Sequence, residues 1–358
     1  METFQRHILR HIRSNRPLSE AAFNRFAIQT YLWQRSRNKI YDLFCEAEGI
    51  KEVRCWQEIP ALPVAAFKHH RVACFERSRT RRIFLTSGTT RGLARGKHEF
   101  EDLSFYDAAI RPLFGRYVVP DLKRGERVRF VFLALDPREA PHSSLSYMGG
   151  RTAQLFGRGK PFYGLTKNGL RTEALTEYLS ACVRKNEKVL IFTTTFALAD
   201  FLDHLFAEGI ALRLPAGSRI METGGYKGRR KEVGRQDLVL RSAKHLGVPG
   251  RRVINEYGMT ELSSQFYDRG RASKSGVSIK YGAPWMRVIM ADPASGRPLP
   301  QRQTGLIRIY DLANQGSCFA IQTEDLGRRV GAGFELIGRS PAAALRGCSL
   351  GFEEISKR

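Results

Sequence analysis

The sequence predicts an α/β protein with a largely parallel sheet, and three observations support this fold class. Apolar runs of strand length alternate with amphipathic segments of helix length, which is typical of parallel strands joined by crossover helices. Residues 1–50 have helical periodicity instead, and short strands with Gly/Pro turns replace the helices from about residue 276. We therefore expect a helical N-terminal region and connector (1–75), an α/β core (76–275) and a small β-rich subdomain (276–358).

The individual elements follow from periodicity and from the positions of proline. The N-terminal helices place Phe4, Ile8 and Ile12 on one face, whereas segment 59–67 has two prolines in an apolar run and is predicted to be an extended connector. Strands are predicted at residues 82–85, 128–135, 189–193, 219–222, 253–257, 287–290 and 305–310. Helices are predicted at residues 100–114, 171–185, 195–208 and 230–246.

Composition limits the class of protein. With 358 residues, 42% of them hydrophobic, the chain can bury a large core. It has neither an apolar run long enough to cross a bilayer nor the apolar centre of a secretory signal, so we expect a soluble cytoplasmic protein without a membrane span. Its six dispersed cysteines predict reduced thiols rather than a disulfide scaffold or a zinc site: Cys45, Cys55, Cys74, Cys182, Cys318 and Cys348.

The formal net charge of +24 would attract polyanions such as nucleic acid, anionic membranes, nucleotides or an acidic partner. The basic residues are spread along the whole chain, which favours a solvated basic surface. Neither an aromatic-rich RNA-binding motif nor a folded basic module is present in the sequence, so no specific nucleic-acid partner is expected.

The strongest local pattern is a strand that runs into a loop of small hydroxyl residues and glycines. Such a loop lets backbone N–H groups wrap phosphate oxygens while hydroxyls and a nearby cation add donors. The spacing differs from that of a Walker A loop, and no dinucleotide-binding glycine motif follows a strand. An ordinary Gly/Ser/Thr turn is the alternative interpretation of this segment, Thr86-Ser87-Gly88-Thr89-Thr90-Arg91-Gly92.

This loop resembles the phosphate-binding motif of the adenylate-forming superfamily. The segment 255–261, NEYGMTE, resembles the second signature of that superfamily. The resemblance implies that Tyr257, followed by Gly258, packs on adenine, that Thr260 contacts the α-phosphate and that Glu261 holds Mg²⁺. An aromatic face stacks well on a purine, and a carboxylate suits a hard cation that bridges phosphates.

Two later segments resemble the third and fourth signatures in the expected order. Segment 323–327, TEDLG, implies that Asp325 accepts hydrogen bonds from the ribose hydroxyls, and Gly338-Arg339 implies that Arg339 also reaches the ribose. A surface ion pair is the alternative for each. The four motifs together predict ATP and Mg²⁺ as cofactors.

A finer resemblance, to the acyl-protein synthetases of bacterial luminescence (the LuxE family of luciferin-component ligases), extends over residues 59–350. The residues that carry it are Ile59-Pro60-Ala61-Leu62-Pro63-Val64, Phe67-Lys68, His142-Ser143-Ser144-Leu145, Tyr147-Met148, Glu222-Thr223-Gly224-Gly225-Tyr226-Lys227-Gly228 and Arg346-Gly347-Cys348-Ser349-Leu350. The resemblance implies that Gly224 and Gly225 lie against adenine, that His142 lies near the acyl pocket, and that a long-chain fatty acid passes through an adenylate to Cys348 and on to an acyl-reductase partner. An ordinary core or surface histidine is the alternative for His142.

Two departures from the superfamily pattern affect the catalytic assignment. The sequence ends at Arg358, so the usual mobile C-terminal domain and its catalytic lysine are not expected, and either Lys97 or a partner would have to substitute. The loop also has Arg91 where glycine is common. Two alternatives stay open: a relative of the aryl- or acyl-CoA ligases that uses coenzyme A directly, and a non-catalytic nucleotide- or nucleic-acid-binding protein.

Overall fold

The computed structural model describes residues 1–86, 95–224, 234–270 and 278–340. The chain forms two compact units. Unit 1 contains the described residues of Met1–Pro112, Met259–Gln265 and Ile279–Arg358, and unit 2 contains those of Leu113–Gly258 and Phe266–Ser278. The three consecutive segments expected from the sequence remain a prediction. Several candidate site residues lie outside the described ranges: Ser87, Gly88, Thr89, Thr90, Gly92, Gly225 and Cys348.

The described residues form nine α-helices, α1 Thr3–Ser14, α2 Glu20–Arg35, α3 Lys39–Ala47, α4 Ala66–His69, α5 Ser104–Tyr117, α6 Ser144–Phe156, α7 Thr172–Arg184, α8 Thr195–Ala207 and α9 Arg235–Leu246. Their strands are β1 Leu62–Pro63, β2 Arg82–Leu85, β3 Lys97–Phe100, β4 Arg129–Leu133, β5 Phe162–Tyr163, β6 Leu165–Thr166, β7 Gly169–Leu170, β8 Val189–Thr194, β9 Arg219–Thr223, β10 Val253–Tyr257, β11 Phe266–Tyr267, β12 Ile279–Lys280, β13 Met286–Ala291, β14 Thr304–Asp311, β15 Ala320–Val330 and β16 Gly333–Arg339.

The N-terminal helices α2 and α3 begin at polar caps. The Ser19 hydroxyl accepts from Ala22 N–H at the start of α2, and the Asn38 side chain accepts from Tyr41 N–H at the start of α3. Ile8 in α1 and Phe23 in α2 are fully buried. The predicted helical entry region is therefore confirmed.

Unit 1 contains a mainly antiparallel sheet with the strand order β12-β16-β15-β14-β13, and β1 pairs in parallel with β15. From Ile279 onwards the described residues form strands and turns without a helix, so the β-rich C-terminal region is confirmed. The predicted extended connector 59–67 is only partly correct. The chain leaves β1 and turns into α4 at Ala66, because no proline follows Pro63 to prevent a helical turn.

Unit 2 contains the predicted parallel sheet, with the order β11-β10-β9-β8-β4-β5. Every pairing along it is parallel except that of β10 with β11. Helices α7, α8 and α9 contribute apolar residues to a core that covers this sheet. Because parallel strands are buried on both faces, β8 reads as a continuous apolar run rather than an alternating one.

Helices α5 and α6 differ from the sequence expectation. The helix predicted from residue 100 begins at Ser104, since Phe100 is taken up by β3 in its pairing with β2. Helix α6 was not predicted, because Gly149 and Gly150 in its interior lower helix propensity. Gly149 has a packing reason: a Cβ there would lie 2.8 Å from the Phe132 ring and 3.3 Å from Phe192, so the helix approaches the sheet closely.

Candidate functional site

The predicted phosphate loop leaves β2 at Thr86, and its base is closed by hydrogen bonds in unit 1. Thr86 N–H donates to the Gly96 carbonyl at 2.9 Å, and Gly96 N–H donates to the Thr86 hydroxyl at 2.8 Å. The Arg95 guanidinium donates to the Thr86 carbonyl at 2.6 Å. These bonds extend the β2–β3 hairpin to Thr86 and Gly96.

Lys97 follows this closure as the first residue of β3, opposite Leu85. Its side chain is exposed. Lys97, which the sequence suggests as a catalytic lysine within the core, therefore lies at the base of the predicted phosphate loop.

The segment Thr260–Ser264 of unit 1 carries the proposed phosphate and magnesium contacts, and buried side chains hold its backbone. Glu261 is only 5% exposed. Its carbonyl accepts from the Asn314 side-chain N–H at 2.8 Å. The carboxylate of Asp311 accepts from Ser263 N–H at 3.2 Å and from the Ser264 hydroxyl at 2.9 Å.

His98 holds the same segment from strand β3. Its Nδ1 lies 2.8 Å from the Thr260 carbonyl, and its Nε2 lies 2.8 Å from the Ser317 hydroxyl. Burial lowers the pKa of His98 to about 4, so the ring is neutral at pH 7. Because a carbonyl oxygen only accepts, Nδ1 carries the single proton and donates to Thr260, and Nε2 accepts from Ser317.

The third and fourth motifs of the sequence analysis meet in the sheet of unit 1. Asp325 on β15 is the register partner of Arg339 on β16. The Arg339 guanidinium lies 3.6 Å from the Asp325 carboxylate and 4.0 Å from that of Glu324. Thr323 holds the backbone of β15 here, since its hydroxyl accepts from Asp325 N–H at 3.1 Å and donates to the Ile307 carbonyl at 2.8 Å.

In unit 2 the predicted adenine contacts lie at the carboxyl ends of parallel strands, where α/β sheets usually bind ligands. Gly224 follows β9 with φ +102°, a left-handed conformation that favours glycine, and a Cβ there would meet nothing within 4 Å. Tyr257 ends β10, is buried, and packs against Phe266 with ring centroids 6.0 Å apart. Gly258 follows it and is exposed.

A buried polar cluster that the sequence analysis did not single out lies beside these strand ends. The Glu222 carboxylate accepts from the Thr195 hydroxyl, the Asn255 amide and the Arg235 guanidinium, each at 2.6 Å. Arg235, the first residue of α9, also donates to Asp268 at 2.5 Å. The cluster ties the start of α9 to the ends of β9 and β10.

His142 is exposed and lies just before α6, whose N-cap is Ser143. It belongs to unit 2, as do Gly224 and Tyr257. Its proposed place near an acyl pocket remains a prediction.

Among the described residues, no group of three or more His, Cys, Asp or Glu side chains could hold a metal ion by itself. A single carboxylate is enough to fit Mg²⁺ that arrives with a nucleotide, because Mg²⁺ in such sites is bound through one or two carboxylates plus substrate phosphates. Glu261 is the residue that would supply the carboxylate.

Sequence reasoning missed the residues that hold the motifs, namely His98, Asn314 and Arg235. His98 lies within an alternating Lys-His-Glu-Phe strand, and Asn314 lies in a turn far along the chain. Only the tertiary hydrogen bonds distinguish them from ordinary polar residues. The one sequence signal was that His98 follows Lys97 in the strand next to the loop.

The fold is that of the large domain of adenylate-forming ligases. The structure of 2-hydroxyisobutyryl-CoA ligase in the postadenylation state with 2-HIB-AMP matches with a TM-score of 0.66 at 13% identity, covering 91% of this chain and 69% of that one. ATP-bound MatB from Rhodopseudomonas palustris matches with a TM-score of 0.53 at 15% identity, covering 74% of this chain and 49% of that one. The predicted fold class is confirmed.

Among curated proteins, the chain is similar to the long-chain-fatty-acid–luciferin-component ligase of Vibrio harveyi. The two are 22% identical over 339 residues, which cover 90% of this chain and 85% of the relative. This finding confirms the resemblance that the motifs indicated, and the relative's name agrees with the predicted enzyme class. No protein-family profile matches the chain.

No helix among the described residues has both the length and the apolar character needed to cross a membrane. Five cysteines fall within the described part of the chain, and all five are free thiols, as expected.

Proposed function

We propose that this protein uses ATP to activate a carboxylic acid as an acyl-adenylate and then transfers the acyl group to a cysteine thiol. A carboxylate oxygen attacks the α-phosphorus, the bond between the α- and β-phosphates breaks, and pyrophosphate leaves with its electron pair. The thiolate then attacks the acyl carbon, and AMP leaves as the C–O bond breaks. Catalysis rests mainly on positioning and charge stabilisation.

The observation that supports this proposal most directly is the alignment of Asp325 with Arg339 on adjacent strands. These two residues were assigned to the ribose from separate motifs, and they are register partners. The likeness to adenylate-forming ligases in fold supports the same reaction class.

In the proposed site, Thr86 and the loop residues Ser87, Gly88, Thr89, Thr90 and Gly92 hold the phosphates. Thr260 contacts the α-phosphate and Glu261 binds Mg²⁺, which neutralises phosphate charge when bound. Lys97 supplies a cation at the loop base. The adenine contacts are Gly224, Gly225, Tyr257 and Gly258, and His142 borders the acyl group.

We propose Cys348 as the acyl acceptor, and the other cysteines support this by their surroundings. Burial raises the pKa of Cys45 to about 12 and also raises the pKa of Cys74, Cys182 and Cys318, which disfavours the nucleophilic thiolate. Among the described cysteines only Cys55 is partly exposed. The Vibrio harveyi relative suggests a long-chain fatty acid as substrate and, with the resemblance stated above, an acyl-reductase protein as the next acceptor.

Pyrophosphate exchange tests the first half-reaction. We expect ATP–pyrophosphate exchange with a long-chain fatty acid, across a panel that also contains aromatic and amino acids. Glu261→Gln keeps the shape and removes the charge, so exchange should fall at least tenfold and require more Mg²⁺. Glu126→Gln, which removes an ion pair with Lys188, is the control and should exchange normally. Exchange with none of the acids would refute the proposed reaction.

Acyl labelling tests the second half-reaction. With ATP, Mg²⁺ and labelled acid, we expect a hydroxylamine-labile label that Cys348→Ser abolishes without reducing exchange and that Cys55→Ser leaves intact. A label retained in Cys348→Ser would place the acceptor elsewhere. Because the structural neighbours include a CoA ligase, a parallel assay with coenzyme A separates that alternative: rapid acyl-CoA formation by Cys348→Ser would favour direct use of CoA.

A further inference from the structure

The β2–β3 hairpin and the Thr260–Glu261 segment are joined in unit 1 by the His98 side chain. His98 is two residues beyond Gly96, which closes the base of the predicted phosphate loop, and it lies opposite Phe84 of β2. Its ring is 1% exposed and uses both nitrogens, Nδ1 for the Thr260 carbonyl and Nε2 for Ser317. One short strand thus connects the loop base to the backbone of the second motif.

The hydrogen bond from His98 to the Thr260 carbonyl constrains the backbone that carries the proposed phosphate and Mg²⁺ contacts. A hydrogen bond to the Thr260 carbonyl fixes the peptide plane between Thr260 and Glu261, the two residues proposed to contact the α-phosphate and Mg²⁺. Asn314 fixes the next peptide plane through the Glu261 carbonyl, and its Oδ1 accepts from the Ser263 hydroxyl at 3.0 Å. Two buried side chains, His98 and Asn314, therefore hold consecutive peptide planes of this segment.

We infer that His98 is a positioning residue for ATP activation: it sets the Thr260–Glu261 backbone relative to the base of the phosphate loop through its Nδ1–H. It touches neither the nucleotide nor the reacting atoms. This inference rests on the proposed function and adds a residue that the sequence motifs do not contain.

Two conservative substitutions separate this role from simple packing. The Asn side-chain amide lies close to the position of the histidine Nδ1, so His98→Asn can keep the donor to Thr260 and loses the contact with Ser317. The Gln amide reaches the position of Nε2, so His98→Gln keeps a group near Ser317 and loses the donor to Thr260. Both remove the ring, so a purely structural role predicts similar kinetics for the two variants.

The experiment measures pyrophosphate exchange kinetics and equilibrium binding of Mg²⁺-ATP, below the melting temperature of each variant. We expect His98→Gln to lower kcat/KM for ATP about tenfold, the size expected for losing one buried hydrogen bond, and to weaken Mg²⁺-ATP binding, while His98→Asn retains most of both. The control is His245 of unit 2, which is also buried and also faces a carbonyl through Nδ1, that of Ile210 at 3.1 Å. His245→Gln should lower thermal stability without altering KM.

Equal ATP kinetics and binding in the Asn and Gln variants would overturn the inference, whatever their stability. Should His98→Gln fail to fold, Ser317→Ala takes its place: it leaves the Thr260 donor in position and should behave like His98→Asn, and a tenfold loss of ATP binding there would count against the inference. A wild-type protein that binds Mg²⁺-ATP without exchange would refute the proposed reaction alone. A wild type that does not bind it would overturn both.

Discussion

At the scale of single residues, the sequence motifs predicted contacts with a ligand and missed the groups that hold those residues in place. Asp325 and Arg339 could be assigned because a nucleotide requires particular side chains in a particular order along the chain. His98 and Asn314 could not, because their role depends on hydrogen bonds to a segment that is remote in sequence. No local sequence pattern marks a buried histidine that donates to a carbonyl.

The proposed ribose contact of Asp325 gives a prediction that depends on the nucleotide. A carboxylate that accepts from ribose hydroxyls is worth about 1.5–3 kcal/mol, so Asp325→Asn should lower kcat/KM for ATP by roughly 10- to 100-fold. The loss should be smaller for 2′-deoxy-ATP, which already lacks one of the two hydroxyls. The measurement is the ratio of kcat/KM between the two nucleotides.

The control for that ratio lies on the same two strands. Glu335 on β16 forms an ion pair with Arg328 on β15. Glu335→Gln removes a carboxylate from the strand pair without touching the proposed ribose contacts, so it should leave the ratio as in wild type. An unchanged ratio in Asp325→Asn as well would remove Asp325 from the nucleotide site.

At the scale of elements, strands and helices with strong periodicity were predicted within a few residues, for example β10 at 253–257 and α8 at 195–207. Helix α6 escaped prediction because Gly149 and Gly150 are unfavourable for an isolated helix. The absence of a side chain at Gly149 lets the helix pack closely against Phe132 and Phe192. Tertiary packing therefore outweighs the low helix propensity of these residues.

This close packing of α6 predicts opposite effects for two glycine substitutions. Gly149→Ala places a methyl group 2.8 Å from the Phe132 ring, and overpacking of this kind costs about 1–3 kcal/mol of unfolding free energy. Gly115→Ala in α5 meets nothing nearer than 3.7 Å, so it should be neutral or stabilise by up to about 1 kcal/mol through helix propensity. Urea denaturation of both variants checks this, and equal effects would contradict the packing explanation.

At the scale of the whole molecule, His98 should make stability depend on pH. The pKa of His98 is about 4 in the folded protein and about 6.5 when unfolded, so between these values the unfolded chain binds more protons. This contribution to stability is full above pH 6.5 and is lost as the pH falls towards 4. The two pKa values correspond to at most about 3 kcal/mol.

Comparison with His98→Asn isolates that contribution, because another buried group acts in the opposite direction. Burial raises the pKa of Asp311 to about 6, so its contribution falls as the pH rises from about 4 to 6. Asp311 is present in both the wild type and the variant, so its contribution cancels when their unfolding free energies are subtracted. We expect this difference to shrink from pH 7 to pH 4, and a constant difference would show that His98 titrates normally.

The N-terminal helices depend on a part of the chain that is synthesised late. Gln34 and Asn38 donate to carbonyls 280 and 279 residues further on, and Gln5 donates to a side chain 310 residues away. During translation these hydrogen bonds cannot form until the turn at residues 314–317 has been synthesised. The parallel strands of unit 2, in contrast, are complete once Tyr257 has been added. Nascent chains halted before residue 311 should therefore contain a protease-resistant unit 2 while α1–α3 are still cleaved, and a chaperone acting on this protein would engage its first helices longest.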